Sequence, residues 1–555
     1  MSKLSADVPA GSPSARRSIG AYTSILELAV PVGGYLVLAA LLALRHADRL
    51  NPDGVCYLRL GEYFAAGDWR NGFSLYWSPL FPLAIAGFSK LGVDGLEAAH
   101  LVLAIGGAAL ICATFFLLRL TTRTTMGVRI LLLVAAVPAI AEFQLFVVAP
   151  DVLLSVILIT ALAMTWYAAA REKRGAFVLA GALFGLGYWA KAYALPFGLV
   201  AIAVSIWWLR RRASRSWRAP LGLALGGFAL TAAPLVILLS SLNGGFTIGK
   251  SGPINHAVVG PNDILRTHPV VFGVPTPPHV TIWETPDQLP YAYWSPFASR
   301  SYFDHQVAIA ARNSIEASKT LAGLDVAGLG LGSLIVGLIL VGIRREANRD
   351  AVTATVWLAG LLGLYLGGYL LVAFEPRYVQ SFALPVLLCT AALLASRLVI
   401  RPPIAWLVAA AVAASLSAAW IPRVNDHLRS RASPYLREVA RELRAMGFQG
   451  PFAATSWYHG VALAYFSGQP HVGFPPDADP AVDATRLREA GVDWLVVFDL
   501  ATYPAMPVQD LYPPTIPRAL EILANEGWTM RREFVVSMNG QESHIVAFQR
   551  PAPSR

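Results

Sequence analysis

Asp53, Asp151, Lys191, Glu375 and Arg377 stand at the ends of apolar runs, and their residue types could serve one chemistry. A fixed carboxylate can take the proton of an attacking hydroxyl. Lysine and arginine can stabilise charge as it builds on an anionic leaving group. The guanidinium fork suits a phosphate because it holds two oxygens at once. Each residue also has a plainer reading. Asp53 and Asp151 could be N-caps of the helices they precede. Lys191 could snorkel to an interface. Glu375 and Arg377 could form a surface ion pair beside an aromatic-belt Tyr378.

The elements that must position these residues are membrane spans. The chain is 55% hydrophobic and only 14% charged, with a mean hydropathy of +0.53. A soluble domain cannot hide that much apolar surface. Eleven spans are expected: Ser24–Leu44, Leu96–Leu118, Ile130–Val148, Val152–Ala170, Phe177–Tyr193, Leu195–Leu209, Leu221–Leu242, Val326–Ile343, Ala351–Phe374, Val379–Ser396 and Ile404–Ile421. The first, behind Arg16 and Arg17, reads as an uncleaved anchor.

The net charge of +10 does not indicate nucleic acid. The basic clusters "RTTM", "REKRG", "RRRASRSWR", "RREANR" and "RLVIR" each fall between apolar runs, as cytoplasmic loops do. Threading the chain from a cytoplasmic segment 1–23 puts every such cluster inside. The loops 45–95 and 243–324, the turns at Asp151 and at Glu375–Tyr378, and the tail 422–555 then fall outside. The three cysteines, two of them in apolar runs, offer no thiolate metal site.

Within loop 45–95, Tyr57, Leu60 and Phe64 share one helical face and Arg59 and Glu62 another, which predicts a helix lying on the membrane surface. "FASRSYFDHQVAIAARNSIEASK" predicts a second one. The loop 243–324 holds His256, His268 and His279 without the spacing of a zinc helix. Its Pro-rich aromatic stretch, with Trp283, Glu284, Tyr293 and Trp294, is expected to cover a site and stack on sugars. The tail alternates strands ("PFAAT", "DWLVVF", "HIVAFQ") with helices ("SPYLREVARELRAMG", "ATRLREAG", "PRALEILANEG"), as a small α/β domain does. It has no phosphate loop and no nucleophile elbow.

Asp53, Tyr57 four residues on, and the run Trp77-Ser78-Pro79-Leu80-Phe81-Pro82 together resemble the first outer loop of GT-C membrane glycosyltransferases. The likeness is to bacterial relatives of the protein O-mannosyltransferases and of the lipid A aminoarabinose transferase. "PDVLLSVILI", "GYWAKAYALP" and "FEPRYVQSFALP" resemble further family segments. Where many members have Asp-Glu, this chain has Asp53-Gly54, and Pro376 interrupts the family's Glu-Arg-Tyr order.

The resemblance implies a helical polytopic GT-C module over 24–421 with an extracytoplasmic α/β domain after it, in a bacterial inner membrane. It implies transfer of a hexose or pentose from a polyprenyl-phosphate donor to a hydroxyl or amine on a lipid, glycan or protein, with inversion. Asp53 would be the base, and Lys191, Arg377 and Tyr378 would hold the donor phosphate. Tyr57, Trp77, Asp151 and Glu375 would bind substrate or support the others. Whether a divalent cation takes part stays open. So do two rivals: a transporter or lipid flippase, and an O-antigen ligase or polymerase with a diphosphate donor.

Overall fold

The computed structural model describes residues 13–145, 147–261, 272–343, 349–395, 402–430, 435–475, 479–499, 515–538 and 541–551. His268 and most of the basic clusters "RREANR" and "RLVIR" lie outside these residues.

A helix meets each of the eleven expected spans. Among the described residues eight are long and apolar enough to cross a bilayer: Glu27–His46, Gly95–Thr121, Met126–Leu145, Asp151–Arg171, Ala194–Arg212, Arg218–Asn243, Asp350–Leu370 and Ala405–Arg429. The chain is a multi-pass membrane protein. The other three helices, Arg174–Ala190, Leu329–Ile343 and Pro376–Leu393, have 17, 15 and 18 residues. At about 1.5 Å per residue Arg174–Ala190 falls short of the roughly 30 Å hydrocarbon layer, while the other two run up to the edge of the described residues. Pro376–Leu393 has no need to face lipid, since protein buries it without a break from Ser381 to Leu393.

Arg174–Ala190 and Arg218–Asn243 meet along a seam of glycines. A Cβ on Gly181 would lie 1.8 Å from the Ala224 carbonyl oxygen, and one on Gly227 would lie 2.1 Å from that of Val178. Lipid gives apolar side chains no reason to associate, so helices there gain from close backbone packing over small residues. Thr231 strengthens the crossing by donating to the Ala182 carbonyl at 2.9 Å. The first of these helices ends at Lys191, so the seam also sets where that lysine stands.

The expected surface helix after the first span is Pro52–Ala66, but it does not lie on a surface. Ten of its residues are buried, among them Val55, Cys56 and Leu58, which lie outside the apolar face read from the sequence. Its neighbours are the helices Leu80–Ser89, Gly95–Thr121 and Trp457–Ser467. The second expected surface helix is Arg300–Ala322, started by Ser299, whose side chain accepts from the Tyr302 N–H. It buries only the i, i+4 stripe Ile309, Asn313, Ala317 and Leu321.

The tail forms a four-stranded sheet of β1 (Phe452–Ala454), β2 (Trp494–Asp499), β3 (Thr529–Met538) and β4 (Gln541–Gln549), in the order β1-β2-β4-β3. β1 and β2 are parallel, and the other pairs are antiparallel. Trp494, Val496 and Phe498 pack with Val439 and Leu443 of helix Tyr435–Ala445. Leu495 and Val497 point the other way, onto Leu487 and Ile522 of the helices Pro480–Glu489 and Thr515–Asn525. A strand covered on both faces reads as a continuous apolar run, as "DWLVVF" does. β3 and the helix Trp457–Ser467 are additions to the expected elements.

Candidate active site

Asp53, Asp151, Lys191 and Arg377 converge at one end of the helix bundle. Each stands at a helix terminus: Asp53 second in Pro52–Ala66, Asp151 first in its helix, Lys191 as the C-cap of Arg174–Ala190, and Arg377 second in Pro376–Leu393. They line a cavity of about 250 Å³ together with Tyr57, Trp77 and Tyr378. Seven of the eight residues singled out in the sequence therefore share one space. Glu375 is not on the wall and reaches the site through Arg377 and Tyr378.

Two ion pairs organise the cavity. Arg377 Nη2 donates to Asp53 Oδ2 at 2.8 Å. Lys191 Nζ donates to Asp151 Oδ1 at 2.6 Å. The Lys191 ammonium also lies 3.6 Å from the centre of the Tyr378 ring, within cation–π range. Glu375 takes the other side of the guanidinium at Nε and accepts from the Tyr378 hydroxyl at 3.1 Å. Behind Asp151, Ser155 and Ser381 share a hydrogen bond of 2.7 Å that ties its helix to Pro376–Leu393.

Neither aspartate is a cap. The N-cap of Pro52–Ala66 is Asn51, and no side chain makes a cap hydrogen bond there. Asn51 Oδ1 accepts from the Val148 N–H at 2.8 Å instead, joining the helix start to the segment before Asp151. The N-cap of the Asp151 helix is Pro150, again without a side-chain bond. Both carboxylates lie in a first turn, where the helix dipole favours negative charge, and each gives one oxygen to a cation. The same packing explains Gly54. A Cβ there would sit 2.8 Å from Val148 Cβ and 2.9 Å from Asn51 Oδ1, so a second acid has no room.

Tyr57 and Trp77 form a wall, with ring centres 5.1 Å apart. Burial, and then the Asp53 charge, push the Tyr57 phenol well above its ordinary pKa, so it acts as a neutral hydroxyl. The loop 243–324 contributes to the cavity through Ile248, Gly249 and the start of the helix Ser251–Val258. Trp283, Glu284, Tyr293 and Trp294 of its aromatic stretch are not on the cavity wall. Trp294 stacks on His256 at 4.3 Å, and Trp283 is buried beneath the loop. There Trp283 does what the sequence gave no sign of: its indole N–H donates to Asp53 Oδ1 at 3.3 Å. Tyr369, 5.7 Å from the Lys191 ammonium, is another wall residue that sequence reasoning passed over. Among the described residues no group of three or more His, Cys, Asp or Glu side chains could hold a metal ion.

A sequence family described as dolichyl-phosphate-mannose-protein mannosyltransferase matches residues 77–237, which take in Trp77, Asp151 and Lys191. No curated protein matches the chain in sequence. Solved structures match it in fold over nearly its whole length. One is ArnT from Cupriavidus metallidurans bound to undecaprenyl phosphate, with a TM-score of 0.54 and 15% identity over 94% of this chain and 97% of that one. The chain has the GT-C fold. A second GT-C match is the oligosaccharyltransferase AglB from Archaeoglobus fulgidus, in complex with an inhibitory peptide and a dolichol-phosphate. Its TM-score is 0.52, with 13% identity over 93% of this chain and 74% of that one. The arabinofuranosyltransferase AftD from Mycobacteria matches at a TM-score of 0.51 and 15% identity, over 95% of this GT-C chain but only 40% of its own length.

Proposed function

We propose that the chain is a membrane glycosyltransferase that moves a hexose or pentose from a polyprenyl-phosphate donor to a hydroxyl or amine on a lipid, glycan or protein acceptor. The observation that carries this reading is the convergence of two carboxylates and two cations on one cavity at the end of a helix bundle. The GT-C fold and two matched structures that hold a polyprenyl or dolichyl phosphate support it.

In the proposed reaction Asp53 takes the acceptor proton as the acceptor oxygen or nitrogen attacks the anomeric carbon. The bond from that carbon to the phosphate oxygen breaks, and the electron pair leaves with the lipid phosphate. Lys191 and Arg377 stabilise that charge, Tyr378 supports both cations, and Asp151 and Glu375 orient them. Attack from the side opposite the phosphate inverts the anomeric centre. Tyr57 and Trp77 flank the sugar. Arg377 must exchange Asp53 for the phosphate, and this exchange releases the carboxylate for its work as base. A site at helix termini fits a donor whose headgroup floats at the bilayer surface, whereas transporters favour binding near the midplane. The positions of the basic clusters in the sequence support a cavity on the outer face, and the membrane in this reading is a bacterial inner membrane.

The test uses the full chain in lipid vesicles with a panel of polyprenyl-phosphate hexoses and pentoses. Saturable binding of polyprenyl phosphate that weakens in Lys191→Ala and Arg377→Ala is expected. Sugar transfer with an inverted anomeric signal by NMR is expected for one member of the panel. Binding that is indifferent to both substitutions would remove the donor assignment.

A further inference from the structure

We propose that Trp283 is a positioning residue for Asp53 and that the C-terminal sheet holds it in place. The proposal rests on the reading of Asp53 as the base.

Asp53 could rotate about χ1 and χ2 if only Arg377 held it, and donor binding would take Arg377 away. The Trp283 indole N–H remains. It donates to Oδ1 at 3.3 Å, and Oδ2, the oxygen that Arg377 holds, is then left for the acceptor proton. The indole is itself held on several sides. The Trp283 backbone carbonyl oxygen accepts from Trp77 Nε1 at 3.0 Å and from Cys56 Sγ at 3.1 Å. Its ring meets Trp77 and Trp457 edge to face, at 5.9 and 5.5 Å between centres.

The turn that carries Trp283 is fixed by the next residue. Glu284 is fully buried at the end of a short 3₁₀ turn, Ile282–Glu284, closed by a capping box with Thr281. Oε1 accepts the backbone N–H groups of Val280 at 2.7 Å and Thr281 at 3.2 Å. Oε2 accepts from the Tyr63 hydroxyl at 2.8 Å and meets His279 Nδ1 at 3.0 Å. Tyr63 and Arg59, which lies 3.9 Å from Glu284, belong to the helix that carries Asp53. From the other side His471 donates its backbone N–H to the Val280 carbonyl at 2.8 Å, and it bridges Thr281 to β1 at Phe452. The loop is thus bound to the Asp53 helix by Glu284 and to the C-terminal sheet by His471. Trp283 stands between the two attachments.

A donated hydrogen bond stabilises the charged form of a carboxylate. Removing the indole N–H should therefore raise the proton affinity of Asp53 and loosen its aim. Trp283→Phe keeps an aromatic ring and deletes the donor, and Trp283→Leu is a second donor-free variant with the same expectation. Either folded variant should lose about 3- to 30-fold in kcat with KM for the lipid-phosphate donor unchanged. The acidic limb of its pH–rate profile should move up. A merely structural role would leave the pH profile in place. An unshifted limb and a wild-type kcat in the folded variants, with Asp53→Asn inactive, would overturn the positioning role and leave the base assignment standing. A wild-type rate in Asp53→Asn would overturn both.

Discussion

Arg377 Nη2 lies 2.8 Å from Asp53 Oδ2, although 324 positions of sequence separate the two residues. The proposed phosphate ligand and the proposed base therefore hold one another before any donor arrives. Arg377→Ala should weaken use of a lipid-phosphate donor by roughly 10- to 150-fold, the worth of about 1.5–3 kcal/mol for a hydrogen bond to a charged group. Arg377→Lys should recover only part of this, because it restores the charge and not the fork. Steady-state kinetics against donor concentration will show whether the loss falls on KM, as expected.

Asp53→Asn is a clean substitution because the side chain makes no cap bond that folding depends on. The amide oxygen can still accept from Trp283, but the group cannot take a proton at neutral pH. The variant should melt within a few degrees of the parent and lose roughly 10²–10⁴-fold in transfer rate. A folded Asp53→Asn protein turning over at the parental rate would end the assignment.

Lys191 and Asp151 are mostly buried, with side chains 22% and 11% exposed. Lys191→Met should destabilise by roughly 3 kcal/mol, because it strands a carboxylate that has lost its partner. Adding Asp151→Asn should restore most of the stability and none of the donor binding. Thermal unfolding and polyprenyl-phosphate binding, measured on the single and double variants, separate the two effects.

His459 and His471 sit in the C-terminal unit, where burial pushes their imidazoles down to about 4 and about 3. Unfolded histidine titrates near 6.5. Their neutral forms thus contribute stability that is complete above about pH 6.5 and is lost as pH falls from there toward the folded values. Hydrogen exchange over residues 435–551 should accelerate between pH 6.5 and 4 beyond the chemical trend, and His471→Leu should flatten the rise. A stability of this unit that does not change over that window would refute the prediction.

At the glycine seam, Gly181→Val should force the helices Arg174–Ala190 and Arg218–Asn243 apart, since even a Cβ would meet the Ala224 carbonyl at 1.8 Å. Because Lys191 ends the first helix, donor affinity should fall together with melting temperature. Gly222→Val, on the same pair of helices but with open space around it, serves as the control.

The eight long helices were legible because a bilayer demands about 20 apolar residues of a span, and each left its run in the sequence. Asp53, Lys191 and Arg377 could be named because a charge beside such a run is costly and needs a reason. The cap reading of Asp53 failed at a point where the sequence held the answer. Proline favours the first helical position, so Pro52 marks Asn51 as the cap. Trp283 was not legible as a partner of Asp53, because it lies 230 positions away in a loop without periodicity. β3 was missed because it begins "TMRREF", and charged residues of that kind are typical of a strand at a sheet edge.

The helix Trp457–Ser467 lies beyond the last span, yet its Val461 belongs to the same apolar cluster as Tyr57, Leu60, Trp77 and Phe81. The membrane module therefore does not end where its final span ends. A chain cut after residue 430 would leave that cluster open to water just behind the cavity. The tail and the bundle are in this sense halves of one core, and a shortened protein should be sticky before it is inactive.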